Sequence, residues 1–318
     1  MTGARQAAVA AVDWGTSHLR IWLLDRDGMV LDERRSGEGL LKTGADGFAG
    51  VLARHLADMG TDDALPAIIC GMAGSRQGWL EVPYVDVPAA LDAVLGRAER
   101  VPGLAREVAI IPGLAQRDAA APDVLRGEET QLAGVPGLRG AREALVAMPG
   151  THSKWVVVRD GSVSGFGTWL TGELFSLLAS QSILRHALAG ADFAVAADDP
   201  TFAAWLGSAV AEPSTLSAAL FRIRAATLLQ GMQPAKAAAA LSGLLIGSEI
   251  GAARQRFGAG VETVTLVASG PLGALYAAGL AQAGFTVARA DAEAAVREGL
   301  AAAARQRWPQ RIKPEVPA

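Results

Sequence analysis

The chain has 318 residues, 51% of them hydrophobic and 19% charged, with a mean hydropathy of +0.26. A chain this long and apolar buries a full core in about two domains, which excludes global disorder. A formal charge of −3, 1 cysteine and 4 histidines leave no basic field for nucleic acid, no disulfide framework and no thiolate- or histidine-based metal centre.

The apolar run 7–12 is stopped by Asp13, too early for a signal-peptide core or a membrane span, so a soluble cytoplasmic protein is expected. Residues 8–12 read as a buried strand, Gly15-Thr16-Ser17 as a turn and Leu19–Leu24 as the next strand. Arg26-Asp27-Gly28 carries the Asp-Gly hairpin signal ahead of a third strand at 29–33. The spacing of Phe48, Val51, Leu52, His55, Leu56 and Met59 predicts a helix. Short buried strands follow at 67–70 and 108–111, closed by Gly71 and by Pro112-Gly113.

The pattern then recurs. Strand 144–148 leads into Gly150-Thr151-His152-Ser153, strand 155–158, the turn Arg159-Asp160-Gly161 and strand 162–167. Val-Asp-Trp-Gly-Thr-Ser at 12–17 lies over Met-Pro-Gly-Thr-His-Ser at 148–153, and a duplicated unit is expected. The boundary falls at 137–142, with residues 1–140 as the first domain and 141–318 as the second. A strand at 264–268 ends in Ser269-Gly270-Pro271; helix 272–283, strand 285–288 and helix Ala292–Arg307 follow. The Pro-rich tail 311–318 is expected to fray.

A Gly-Thr-Ser turn between strands aims successive N–H groups and two hydroxyls at one spot, a nest for phosphate oxygens. Gly15, Thr16 and Ser17 form one such turn, and Asp13 beside them can hold Mg²⁺ or its waters. Gly150, Thr151, His152 and Ser153 form a second, to which Lys154 adds a cation for a transferring phosphoryl group. Two such turns would together clamp a triphosphate. Ser269-Gly270, before a helix, would let a flat adenine approach the backbone. Each has a plainer reading: a simple turn, an aspartate capping local amides, a surface lysine.

Arg126-Gly127-Glu128-Glu129-Thr130-Gln131 is either a helix start, where glutamates suit the dipole, or a carboxylate aimed into a cleft to take a proton from an attacking hydroxyl. Thr171-Gly172-Glu173 is a helix cap or a substrate-contacting loop. The Gly-rich loop 71–79 follows a buried strand, where α/β proteins bind ligands. In or near it, Arg76 and Arg126 are candidates for a substrate carboxylate, and Trp79 is an apolar wall or a core residue. No Gly-x-x-x-x-Gly-Lys-Ser/Thr loop, dinucleotide fingerprint or Gly-x-Ser-x-Gly elbow occurs.

At these residues the sequence resembles the 2-dehydro-3-deoxygalactonokinases. The resemblance rests on Asp13-Trp14-Gly15-Thr16-Ser17 with Leu19-Arg20, on 71–75 with Gly78-Trp79 and Pro83-Tyr84, and on Ile111-Pro112-Gly113. It continues through 126–131, Met148-Pro149-Gly150-Thr151-His152-Ser153-Lys154-Trp155, 171–174 and 243–249, with a looser match at 268–272. It implies an α/β fold of two ribonuclease-H-like (actin-like ATPase) domains flanking a nucleotide cleft, sugar acid on the first and nucleotide on the second. It implies ATP- and Mg²⁺-dependent phosphorylation of the terminal hydroxyl of 2-dehydro-3-deoxy-D-galactonate, with a homodimer as the candidate assembly and neither nucleic acid nor membrane as partner. Asp13, 15–17, 150–154, Ser269 and Gly270 would hold ATP and its metal. Arg20, Ser75, Arg76, Trp79, Arg126, Glu128 and Glu173 would hold the sugar acid. Glu128 or Glu129 would be the base, with Asp118 and Asp123 as nearby alternatives. A phosphohydrolase of the exopolyphosphatase type shares the scaffold and the Gly-Glu-Glu stretch. A sugar-sensing regulator would need a helix-turn-helix segment, and none is apparent.

Overall fold

The computed structural model describes residues 6–43 and 47–313, and the chain divides into two compact units. Unit 1 comprises 1–142, 159–165 and 292–318; unit 2 comprises 143–158 and 166–291. The units are interleaved along the chain, with 159–165 and the C-terminal 292–318 grouped with the N-terminal residues. The terminal helix packs back on unit 1, because its apolar face (Val296, Leu300 and the alanines around them) is buried there.

Unit 1 begins with β1 (Val9–Trp14), β2 (Leu19–Leu24), β3 (Val30–Ser36), α1 (Gly47–Asp58) and β4 (Ala67–Gly71). It continues through β5 (Val85–Asp86), β6 (Ala89–Ala90), α2 (Leu91–Leu95), β7 (Glu99–Arg100), β8 (Val108–Ile110), β9 (Leu114–Gln116), β10 (Asp123–Leu125) and α3 (Glu128–Gly134). Its main sheet runs β3-β2-β1-β4-β8-β7. β2 is antiparallel to β1, while β1, β4 and β8 are parallel. The parallel strands are buried on both faces, so they read as continuous apolar runs; β3, at the edge, carries Asp32, Glu33, Arg34 and Arg35.

The chain continues through β11 (Glu143–Met148), β12 (Ser153–Arg159), β13 (Ser162–Trp169), α4 (Thr171–Ser180), α5 (Pro200–Ala211), α6 (Leu216–Gln230), α7 (Pro234–Phe257), β14 (Thr263–Val267), α8 (Gly270–Gln282) and β15 (Thr286–Ala290), all in unit 2 except the last residue of β12 and the first half of β13. The terminal α9 (Ala292–Arg307) belongs to unit 1. The other six-stranded sheet runs β6-β13-β12-β11-β14-β15, with β6 antiparallel to β13 and β11, β14 and β15 parallel. Each unit therefore repeats one order: a three-strand meander whose first strand is followed, on its other side, by two parallel strands. That is the ribonuclease-H-like arrangement, and the expected duplication is present in it.

The stretch 200–257 is helical, and the sequence reading placed no elements there. α7 is buried along most of its length, so its pattern is not one-sided. Gly243, Gly247 and Gly251 line its contact with α5: a Cβ on Gly247 would lie 2.5 Å from the Leu206 carbonyl oxygen, and one on Gly251 2.6 Å from that of Val210. The tail expected to fray is docked over its described part. Ile312 is buried, and Lys313 donates to the Arg26 carbonyl and pairs with Asp27; residues 314–318 lie outside the described residues.

Candidate active site

In unit 1 the parallel register sets Asp13 beside Cys70, and the antiparallel register sets it beside Arg20. The Asp13 side chain is a quarter exposed at the end of β1, and Arg20 Nη1 stands 4.0 Å from its Oδ2. Burial raises the Asp13 carboxyl above its ordinary range; Arg20 pulls it back, and Glu128 and Glu293 push it up again. Burial also pushes the Cys70 thiol well above its usual value, so Cys70 stays protonated. The turn 15–18 closes through the Gly15 N–H on the His18 carbonyl, and Leu40 and Leu41 N–H donate to the Gly15 and Thr16 carbonyls. Thr16 and Ser17 are exposed.

The Arg126–Gln131 stretch is a helix start. Glu128 Oε2 accepts the Arg126 N–H at 2.9 Å, and Glu129 Oε2 accepts the Gly127 N–H at 2.7 Å. Glu129 is fully buried, accepts the Thr130 hydroxyl as well, and is pushed up to about 7 by burial and then by the Glu128 charge. Glu128 is only partly buried. The alternative acids do local work: Asp118 caps the Ala120 N–H in a loop, and Asp123 stands in β10.

Arg126 is anchored where Arg76 is exposed. Its Nη2 donates to the Val82 carbonyl at 2.8 Å and its guanidinium lies 4.3 Å over the Tyr84 ring, while its Nε and Nη1 are buried with no hydrogen-bond partner. Ser75 Oγ is likewise buried without a partner. Trp79 packs edge-on to Trp14 and stacks on Phe48, so it is part of the core wall.

In unit 2 the turn 150–153 precedes β12. Thr151 and His152 are exposed, whereas Ser153 is buried and its hydroxyl meets that of Tyr276 at 3.0 Å. Lys154 is no surface lysine: it is 5% exposed, and its Nζ donates to the His152 carbonyl at 3.2 Å. Thr171-Gly172-Glu173 opens α4, and Glu173 meets His152 Nε2 at 2.5 Å. Ser269 stands just before α8, and its hydroxyl donates to Asp291 at 2.7 Å rather than capping the helix; Gly270 has φ +66°.

The sequence reading missed two residues. Glu249 is buried in α7, and Glu293, in the first turn of α9, contacts Arg20 and Arg35. Glu293 carries the signal of an acid at a helix start. Glu249 closes the 243–249 match to the family, but no local pattern there assigns it a role.

Two ribonuclease-H-like units in one chain define the actin-like class of ATPases and sugar kinases. A family model described as 2-keto-3-deoxy-galactonokinase matches residues 13–303, and the chain belongs to that family. It is 50% identical over 300 residues to "Probable 2-dehydro-3-deoxygalactonokinase DgoK1" of Rhizobium meliloti, covering 94% of this chain and 97% of the relative. It is 34% identical over 295 residues to the 2-dehydro-3-deoxygalactonokinase of Escherichia coli K12, covering 92% and 96%. A crystal structure of a Sinorhizobium meliloti protein of the same description matches at a TM-score of 0.91 and 50% identity, over 95% of this chain and 99% of that one. The resemblance read from the motifs is thereby the family of the chain.

Proposed function

We propose that the chain is an ATP-dependent kinase that phosphorylates the terminal hydroxyl of 2-dehydro-3-deoxy-D-galactonate in D-galactonate breakdown. The observation that carries this reading, beyond family membership, is a cavity of about 640 Å³ in unit 2. Its wall is mostly apolar (Phe175, Phe193, Leu245, Leu275), and it borders Gly150 and Thr171-Gly172. An apolar chamber of this size beside an N–H- and hydroxyl-bearing turn suits a nucleoside with a phosphate tail. Pro271 and Leu272 also line it, which supports an adenosine site next to Ser269-Gly270.

Unit 2 accordingly supplies the nucleoside groups, and unit 1 supplies the sugar-acid groups together with further phosphate and metal groups. The exposed hydroxyls of Thr16, Ser17 and Thr151 suit phosphate oxygens, and Lys154 is a cation held at the base of the second turn. Among the described residues no cluster of three or more His, Cys, Asp or Glu could cage a metal. A single partly exposed carboxylate, Asp13, fits Mg²⁺, which keeps most of its waters and takes its other donors from phosphates. When bound, the ion would neutralise phosphate charge. Arg126 and Ser75, with their buried unpartnered polar atoms, are the groups for the substrate carboxylate. Between the two glutamates, access decides before basicity. Glu128 is the one with an open face, so it takes the hydroxyl proton, and the buried Glu129 holds the Gly127 backbone beneath it. A cytoplasmic location and a homodimer belong to the same reading; the buried, protonated Cys70 suits a reducing compartment.

The test is a coupled ADP assay of the purified chain with ATP, Mg²⁺ and a panel of sugar acids that includes the gluconate-derived epimer. ADP release that depends on the galactonate-derived acid is expected. Equal release without any sugar acid would make the protein a phosphohydrolase instead.

A further inference from the structure

We propose that Glu249 is a positioning residue whose carboxylate holds both ends of the turn 150–153 in the shape that takes nucleotide phosphates. The inference rests on the reading of that turn as a phosphate site. Glu249 lies inside α7, 2% exposed, far along the chain from the turn.

On one side its Oε1 accepts Trp155 Nε1–H at 2.8 Å, and its Oε2 accepts the Tyr276 hydroxyl at 2.5 Å. That hydroxyl in turn meets Ser153 Oγ. The start of β12 is thus tied down where the turn ends. On the other side Oε2 accepts the Thr171 hydroxyl at the first residue of α4. The next residues of α4 lie directly on the turn. The Glu173 N–H donates to the Thr151 carbonyl at 3.0 Å, and a Cβ on Gly172 would come 2.5 Å from the Gly150 carbonyl oxygen. One carboxylate therefore couples the strand after the turn to the helix that packs on it.

A buried charge is a poor choice for packing alone, since an apolar side chain of similar volume commonly serves as well. What only the carboxylate supplies is two oxygens that gather three buried donors from three elements. Removing it takes the shared acceptor from all three donors and leaves the turn free to shift by the fraction of an ångström that phosphate hydrogen bonds register.

The test uses the purified full chain: wild type, Glu249→Leu, Glu249→Gln and Thr171→Val. The readouts are steady-state kinetics and equilibrium binding of the ATP analogue AMPPNP. Glu249→Leu should raise the ATP KM and the AMPPNP Kd roughly tenfold, and Thr171→Val a few-fold, as expected for lost hydrogen bonds to a charged group. The sugar-acid KM should not move. Glu249→Gln, whose oxygen still accepts from Trp155, should recover part of the loss. If Glu249→Leu does not fold, Thr171→Val decides. A fall in kcat with both KM values unchanged marks only a smaller active fraction and overturns the proposal, as does unaltered AMPPNP affinity in the variants. Wild type that binds no AMPPNP would remove the phosphate reading of the turn itself, a different failure.

Discussion

The Glu129 carboxylate accepts the backbone N–H of Gly127, two residues upstream, and so closes the first turn of α3 on itself. Burial and then the neighbouring Glu128 charge push its pKa from 4.5 up to about 7, against the lowering effect of this hydrogen bond and of the Thr130 hydroxyl. The unfolded carboxyl releases its proton near 4.5 and the folded one near 7, so the native state binds the extra proton between them. Stability therefore falls as pH rises through that window, by about 3 kcal/mol if fully expressed. Glu129→Gln should flatten this part of the profile. Denaturant melts at pH 5 and pH 8 check it, and an equal loss in wild type and variant would refute the claim.

Glu128 carries the base role in this reading. Glu128→Gln should lower kcat by about a hundredfold or more while nucleotide affinity stays within a factor of two or so. A change confined to the sugar-acid KM would make Glu128 a binding group only.

In the proposed reading Asp13 and Lys154 both act on phosphates. Asp13→Ala and Lys154→Met should each abolish measurable turnover, with circular dichroism spectra like wild type. Met at 154 keeps the volume of a side chain that is 5% exposed, so a cavity does not confuse the result. Turnover near the wild-type rate in either variant would remove that residue from the site.

Arg126 and Arg76 separate by burial. Arg126→Met should raise the sugar-acid KM at least about tenfold, because a carboxylate partner of the guanidinium is lost. Arg76→Ala, at an exposed position, should change it less than about twofold. The reverse ranking would move the carboxylate site to the loop 71–79.

The α5–α7 contact is built on absent side chains. Gly247→Val should destabilise the protein by about 2–4 kcal/mol, as overpacking against a fixed backbone does. Thermal melts measure it; a melting temperature unchanged within 1 or 2 °C would mean that the helices part without cost.

Much of unit 1 was legible because its signals are local. β1, β2 and β4 are short apolar runs cut by Gly, Asp or Pro, and Asp27-Gly28 marks its own turn. The recurrence at 148–153 disclosed a duplicated unit, and the family resemblance supplied its ribonuclease-H-like character. The helices α5 to α7 were opaque for the opposite reason. α7 is buried nearly all round, so it lacks the polar face that gives a helix its period, and its Gly-x-x-x-Gly spacing gains meaning only against α5.

The amino-acid order by itself determined most strands of the two larger sheets, the two turns and the family, because each is written in contiguous residues; the short strands β5, β6, β7, β9 and β10 carried no such signal. Folding alone decided which polar groups count. It buried Glu129 and Lys154, turned Ser153 inward and brought α9 back to unit 1. It also carried Glu249 from the middle of a helix to the Trp155, Thr171 and Tyr276 side chains. Burial and long-range hydrogen bonding depend on which distant segments pack together, and no local pattern records that.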